Sequence, residues 1–412
     1  MVVMNPRYHR HTQPKRHPIR YVVIALAFCF IATGAVNLVK PLPSVAATKA
    51  DITPAATEAA NLTWPARGEA AIGAQGFGLL DTHGPETPLP TASIAKVVTA
   101  MALLEQKPLN LGQQGPSMTI GASDVALYQK YAAQDGSRIP VTIGEDLTEY
   151  QILQALMLPS ANNIADSVAT WVFGSVPSYT EYANQMVKRL GLTHTTIADD
   201  ASGFLPGTVS TPSDLVKLGL AAMKNPVLAQ VVSQPQANLP VIGAVHNVNA
   251  PLGQKGIVGI KTGNTDQAGG CFLFAANYTP VSNHTVTIVG AVMGAADLGD
   301  ALSSSLPLLA SAQRNFSVQT FVRAGQTVAS YQVPWGGTVH AISPEDVATT
   351  VWNGKTITPT ITAKAITAPQ TKNAEVGSVT VLAGSNKTTS RLVLERPIGK
   401  PSLFWRLFRN PF

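Results

Sequence analysis

Cysteine is nearly missing from this 412-residue chain: Cys29 lies inside an apolar run and Cys271 stands alone far beyond it. That pair offers no disulfide framework, so stability must come from packing. Histidine is thin as well, eight residues scattered without an H-E-x-x-H run or a paired Cys/His spacing. Such a pattern speaks against zinc, and the expectation is no metal and no cofactor. Charged residues make up only 13% of the chain, and acids are missing altogether from residues 1–40. That stretch holds Arg7, Arg10, Lys15, Arg16, Arg20 and Lys40, which account for the whole excess of 29 basic over 23 acidic residues. The rest of the chain is neutral, leaving no broad basic face for nucleic acid.

What is present begins with a hydrophobic run. Residues Tyr21 to Val39 carry no charge over 19 positions, and as a helix they span about 28 Å, close to a bilayer's hydrocarbon thickness. Basic residues precede the run, which predicts a cytoplasmic leader over 1–20 and an exported remainder. Two readings compete: an uncleaved signal anchor over 21–39, or a signal peptide cleaved near Ser44-Val45-Ala46. The long leader and full-length apolar run favour the anchor, hence a cell-membrane protein with its working part extracytoplasmic. Residues 40–62 are small, Ala/Pro/Thr-rich and unpatterned, as in a linker.

A globular pattern occupies residues 63–315. Ala70–Asp81 reads as one strand, Ser93–Glu105 as a helix opened by Ser93 and stopped before Pro108. Leu147–Leu158 and Asn163–Phe173 read as helices around a break at Pro159 to Asn162. Tyr182–Leu190 is a helix ended by Gly191. Val258–Lys261, Cys271–Ala276 and Thr285–Val292 read as successive strands. Strands at both ends with helices between predict an α+β fold, an antiparallel sheet with helices packed on it. Residues 316–396 alternate apolar and polar residues between Gly/Asn turns and predict a small all-β, sandwich-like C-terminal domain. The tail, 397–412, places Leu403, Phe404, Trp405, Leu407 and Phe408 on one broad arc opposite Arg406 and Arg409. That is an interfacial, membrane-associating pattern too short to span.

Three short motifs follow one another: Ser93-Ile94-Ala95-Lys96, Ser160-Ala161-Asn162 and Lys261-Thr262-Gly263. Singly, each has a bland explanation, a helix cap, a turn and a strand end. Together they mark penicillin-binding proteins and class A β-lactamases. Ser93 and Lys96 stand at i and i+3 on a helix, so their polar ends can meet. A serine needs a neighbouring base, and a buried lysine beside a second cation, here Lys261, can be one.

The segments TASIAKVVTAMALLE, LMLPSANNIADSVA, VGIKTGNTDQAGGCFLFAA and VGAVMGA resemble the low-molecular-mass penicillin-binding proteins of the D-alanyl-D-alanine carboxypeptidase type, serine peptidase family S11. The resemblance runs from about Trp64 to Phe316 and continues through the β domain to LVLERPIGKPSLFWRLF. It implies a β-lactamase/transpeptidase-like fold and a peptidoglycan stem peptide ending in D-Ala-D-Ala as substrate, with β-lactams as covalent inhibitors. By the same resemblance, Ser93 would be the nucleophile, Lys96 the general base and Ser160 the proton shuttle. Asn162, Lys261, Thr262 and Gly263 would bind substrate, and the N–H groups of Ser93 and Asn264 would form the oxyanion hole. Two positions depart from the family pattern. Ala95 replaces its usual threonine, and no arginine follows Met293-Gly294-Ala295 before Arg314 to hold the substrate's carboxylate. D,D-peptidase is thus a firmer expectation than strict carboxypeptidase. The alternatives are an endopeptidase, a β-lactamase, for which no E-x-x-L-N segment occurs between Asn162 and Lys261, or a non-catalytic wall-binding protein.

Overall fold

The computed structural model describes residue 2 and residues 18–53, 58–198, 200–281 and 284–409. The expected basic leader therefore lies almost wholly outside the described residues, as do the last three positions of the tail. Within them, one helix, Pro18–Val39, is long and apolar enough to cross a membrane. The bent helix pair Pro212–Ala222 and Pro226–Val232 passes the same test of composition. Its apolar side chains, however, are buried in the core of a helical lobe.

The central sheet has five antiparallel strands in the order Ile257–Thr265, Gly269–Tyr278, Val286–Ala295, Glu69–Ala74, Gly78–His83. Its strands come from both ends of residues 63–315, as the pattern of elements predicts. Cys271–Ala276 is buried at every position, because both faces of the sheet are covered. The helix Leu298–Arg314 packs with Phe272, Phe274 and Ile288 on one face. The helical lobe packs with Leu273, Ala275 and Val289 on the other. Double burial explains why these strands read as continuous apolar runs rather than alternating ones.

The helix Pro212–Ala222 sits unusually close to the sheet, and a glycine permits it. A Cβ on Gly219 would fall 2.7 Å from Val289 Cγ1 and 3.1 Å from both Ile260 Cδ1 and Leu273 Cδ1.

Several expectations change. Ala70–Asp81 is a hairpin rather than one strand, turning at Gln75 to Phe77 with Gly76 and Gly78 at φ of 80° and 72°. The predicted strands near 258, 271 and 285 are longer, reaching nine or ten residues. Helices Ala122–Ala133 and Leu298–Arg314 were not expected.

The linker over 40–62 also requires correction. Ala47–Lys49 pairs antiparallel with Thr327–Val333 at the edge of the C-terminal sheet. Val45 exchanges hydrogen bonds with Ile366. Small residues oppose no extended pairing, and an open sheet edge offers a row of free backbone donors and acceptors. Farther on, Thr63 N–H donates to Ser311 Oγ at 2.9 Å, and Leu62 and Trp64 pack beside the Leu298–Arg314 helix.

The C-terminal region is all β apart from its tail. A six-stranded sheet, starting from Ala47–Lys49 and ending at Thr360–Ala363, faces a two-stranded one made of Phe316–Val322 and Val347–Trp352. Tyr331, Val351, Val379 and Leu392 fill the space between. The Gln75–Phe77 turn docks this region to the central five-stranded sheet. Gly76 O accepts from Ser385 N–H, and the Phe77 ring meets Phe316 at 5.4 Å.

Gly219→Val should force the lobe away from the sheet and destabilise the protein by about 1–3 kcal/mol, the usual cost of overpacking. Urea unfolding of the two proteins would show a lowered midpoint, and an unchanged midpoint would refute the close approach.

Candidate active site

The site lies where the helical lobe meets the edge strand Ile257–Thr265. Ser93 occupies a single 3-10 turn, Ala92–Ile94, that runs into the helix Ala95–Gln106. Ala92 adopts φ of 45°, a left-handed conformation costly for a residue with a Cβ. Sparsely populated backbone of this kind persists where the surroundings hold it. Ser93 stays half-buried while Lys96, one turn on, is completely buried.

Lys96 Nζ has three partners. It lies 2.8 Å from Ser93 Oγ, 2.6 Å from Asn162 Oδ1 and 3.0 Å from the Ser202 carbonyl oxygen. The last two can only accept. A neutral amine has two N–H bonds and one lone pair, so donating to Asn162 and Ser202 turns the lone pair toward the Ser93 hydroxyl. Burial pushes the Lys96 ammonium down to about 7, opposed by the carboxylates of Asp200 and Asp166. Of the two causes expected for Lys96, its burial and the neighbouring cation of Lys261, burial is the larger. Lys261 is itself lowered well below its ordinary value, by burial and then by Lys96.

Asn162 opens the helix Asn162–Phe173, its own N–H donating to Ser137 O at 2.8 Å. Asn163 bonds the Ile139 backbone in both directions, which fixes the neighbouring loop. Two residues before Asn162, Ser160 holds φ of 64°. Its Oγ is buried without a hydrogen-bond partner among the described residues. A buried hydroxyl left unpaired is costly, and such exceptions mark sites that await a ligand or a water.

Opposite, Lys261, Thr262 and Gly263 are buried on the edge strand while Asn264 is exposed. Lys261 Nζ donates to Thr262 O at 3.0 Å, leaving donor capacity for an anion. A Cβ at Gly263 would lie 3.0 Å from Thr91 O and 3.1 Å from the Ser93 nitrogen. Glycine thus lets the strand lie close to the Ser93 N–H, where a side chain would crowd its neighbours. Cys271, paired in register with Gly263, has its thiol pushed up to about 11 by burial, so it is no competing nucleophile.

One supporting element escaped the sequence reading. Asp200, buried, accepts through Oδ1 from the N–H groups of Ser202 and Gly203, both at 2.6 Å, and through Oδ2 from Leu205 N–H at 2.8 Å. The turn it builds aims Ser202 O at Lys96. Asp166 Oδ1 accepts from Ala201 N–H at 3.1 Å, and Thr99 Oγ1 donates to Ala201 O at 2.6 Å. Gly203 takes φ of 71° with its α-carbon so close to Ala92 O that no side chain fits. Asp-Ala-Ser-Gly does signal an Asx turn. Its address beside Lys96, 104 residues away in the chain, is set by tertiary packing alone.

An amide cannot match a carboxylate that accepts from this many N–H groups. Asp200→Asn should therefore cost about 1–3 kcal/mol and speed hydrogen exchange at the amides of residues 202–205. Exchange rates equal to wild type would show that Asp200 does not hold the turn.

Comparison with known proteins agrees with this geometry. The sequence pattern of the D-alanyl-D-alanine carboxypeptidase family matches residues 58–297. A D-alanyl-D-alanine carboxypeptidase of Streptomyces sp. (strain K15) is 30% identical over 53% of this chain and 77% of its own length. A D-alanyl-D-alanine endopeptidase of Pseudomonas aeruginosa is 27% identical over 53% of this chain and 70% of its own. Among solved structures, penicillin binding protein 5 from Haemophilus influenzae shares the fold with a TM-score of 0.57 at 20% identity, covering 85% of this chain and 100% of that one. The α+β penicillin-binding fold with an all-β C-terminal region is thus the fold of this chain. With a matching pattern over more than half its length and a serine-lysine pair in place, the chain belongs to the D-alanyl-D-alanine carboxypeptidase family of serine peptidases.

Proposed function

We propose that Ser93 attacks the carbonyl of the terminal D-Ala-D-Ala bond of a peptidoglycan stem peptide and forms an acyl-enzyme that water then resolves. The observation that carries this reading is the buried Lys96 amine, in contact with Ser93 Oγ and pinned by two acceptors. Its lone pair takes the Ser93 proton as the new C–O bond forms. The oxyanion is received by the N–H groups of Ser93 and Asn264, and Gly263 keeps the strand close enough for both to serve. Ser160, with its unpaired hydroxyl, passes its proton to the amine of the leaving D-alanine and receives in turn the proton that Lys96 took, which returns Lys96 to its neutral form. Lys261 and Thr262 hold the substrate's carboxylate, and the arriving anion favours the charged form of Lys261 that burial disfavours. A β-lactam offers the same carbonyl and carboxylate and would acylate Ser93 as a covalent inhibitor.

A second cut is favoured by a specific observation. The chain is similar to a relative named an endopeptidase, and residues 296–313 hold no arginine to select a free terminal carboxylate. Cleavage of a cross-linked dimer compared with D-alanine release from a pentapeptide separates the two activities. The apolar Pro18–Val39 helix and the Leu403–Phe408 helix support a membrane-anchored protein whose peptidase domain lies outside the cytoplasm.

Ser93→Ala should abolish covalent labelling by a fluorescent penicillin, and Lys96→Ala should slow it by about 10²–10⁴-fold, the usual worth of a general base. Labelling that survives Ser93→Ala would remove the nucleophile. The working form of Lys96 is neutral, so acylation should fall as the pH drops through about 7 and level off above it. A rate constant flat from about pH 5 to 9 would contradict a lysine base.

A further inference from the structure

The first and last described helices meet. The last turns of the Pro18–Val39 helix lie against Leu403–Phe408: the rings of Phe30 and Phe408 are 5.8 Å apart, and Phe404 packs on Phe408 at 4.5 Å. Leu407 sits over Gly34, where a Cβ would come 3.3 Å from Leu407 Cδ2.

The polar contacts between them have a clear physical cause. A helix ends with four carbonyls that lack intrahelical donors, and hydrocarbon supplies no water to satisfy them. Here each helix supplies donors to the other. Arg409 Nη2 donates to Asn37 O at 2.8 Å and also to Lys40 O, while its Nη1 donates to Pro41 O at 3.0 Å. In return Asn37 Nδ2 donates to Leu407 O at 3.1 Å and Arg409 O at 2.9 Å. Arg409 thereby places a cation at the negative end of the long helix. Asn37 is only 3% exposed, on a helix whose other side chains are mostly open.

Both strands of this joint are tied to the β region. Trp405 packs on Trp335 at 4.8 Å, and Trp335 Nε1 donates to Gly399 O at 2.9 Å. On the other side, Val45 pairs with Ile366 and Ala47–Lys49 forms the edge strand. Cleavage after Ala46 would remove Asn37 and Gly34 and leave the carbonyls of the C-terminal helix uncapped.

We propose that the mature enzyme keeps its N-terminal helix, and that this helix and the C-terminal helix form one reciprocally capped joint at the outer surface of a phospholipid bilayer. The exposed Leu403, Phe404 and Phe408 then enter the boundary between headgroups and acyl chains. The proposal rests on the membrane reading given above and goes beyond it: the C-terminal helix binds a protein partner, the anchor, as well as lipid.

The test uses the full chain, expressed with Cys29→Ala, Gly34→Cys and Leu407→Cys, in isolated membranes. Fluorescent penicillin marks the enzyme, intact mass reports its N-terminus, and mild oxidation reports the 34–407 contact. The labelled species should retain the full-length 43.2 kDa. It should cross-link at least about fivefold faster than a Val22→Cys/Leu407→Cys pair, whose anchor position is about 18 Å along the helix. Adding Asn37→Ala or Arg409→Ala should slow cross-linking about fivefold, the factor expected for one lost cap, with penicillin labelling unchanged. A labelled, membrane-bound enzyme that begins after Ala46 would overturn the proposal, as would equal cross-linking from positions 34 and 22. A full-length chain that labels yet washes off the membrane would overturn it together with the anchoring reading. A cross-linked chain that does not label would support the joint and strike only the active-site reading.

Discussion

Everything in the proposed catalytic centre depends on taking one amine out of water. Lys96 is buried completely, and water's loss makes its charged form expensive, which brings its ionisation to about 7. Burial alone would give a neutral amine with no defined direction. The two acceptors, Asn162 Oδ1 and Ser202 O, remove that freedom and turn the lone pair toward Ser93. The strength and the direction of the proposed base therefore come from the same enclosure, and a variant that opens the enclosure alters both.

The rest of the fold supplies the walls of that enclosure from three distant stretches of chain. Ser93 and Lys96 come from the start of one helix, Asn162 from the start of another, and Ser202 from a turn built around Asp200. The edge strand closes the fourth side, and Gly263 lets it approach Ser93. Catalytic groups on helix starts and a strand are held more rigidly than groups on free loops. The left-handed backbone at Ala92 and Ser160 lies at this junction, where surrounding packing can hold conformations that a free chain would abandon.

Much of this was legible in the sequence, for reasons that can be named. Ser93-x-x-Lys96 has helical spacing, so its meeting could be foreseen from local geometry. Cys271–Ala276 was readable as a strand from its residue types, although double burial hides any alternation. The helix Leu298–Arg314 was missed because serines and an internal Pro307 dilute its pattern. Packing against Phe272 and Phe274 overrides that weak propensity. The hairpin within 70–81 was missed although Gly76 and Gly78 carry its turn, because small and apolar residues continue on both sides of them. Asp200 signals its own local turn, but what that turn and Ala47–Lys49 meet is set by residues more than 100 positions away. For these last two the reason is the same: sequence spacing reveals contacts along an element and is silent about those between elements.

The central claim is that Lys96 is the base because it is neutral near physiological pH. Its ionisation can be followed directly by NMR in protein carrying ¹³C at the lysine ε-carbons, with Lys96→Met used to assign the signal. The account predicts one lysine resonance, lost in that variant, that titrates with a midpoint of about 7. A Lys96 resonance that stays in the ammonium position until about pH 10, as an exposed lysine would, would contradict it.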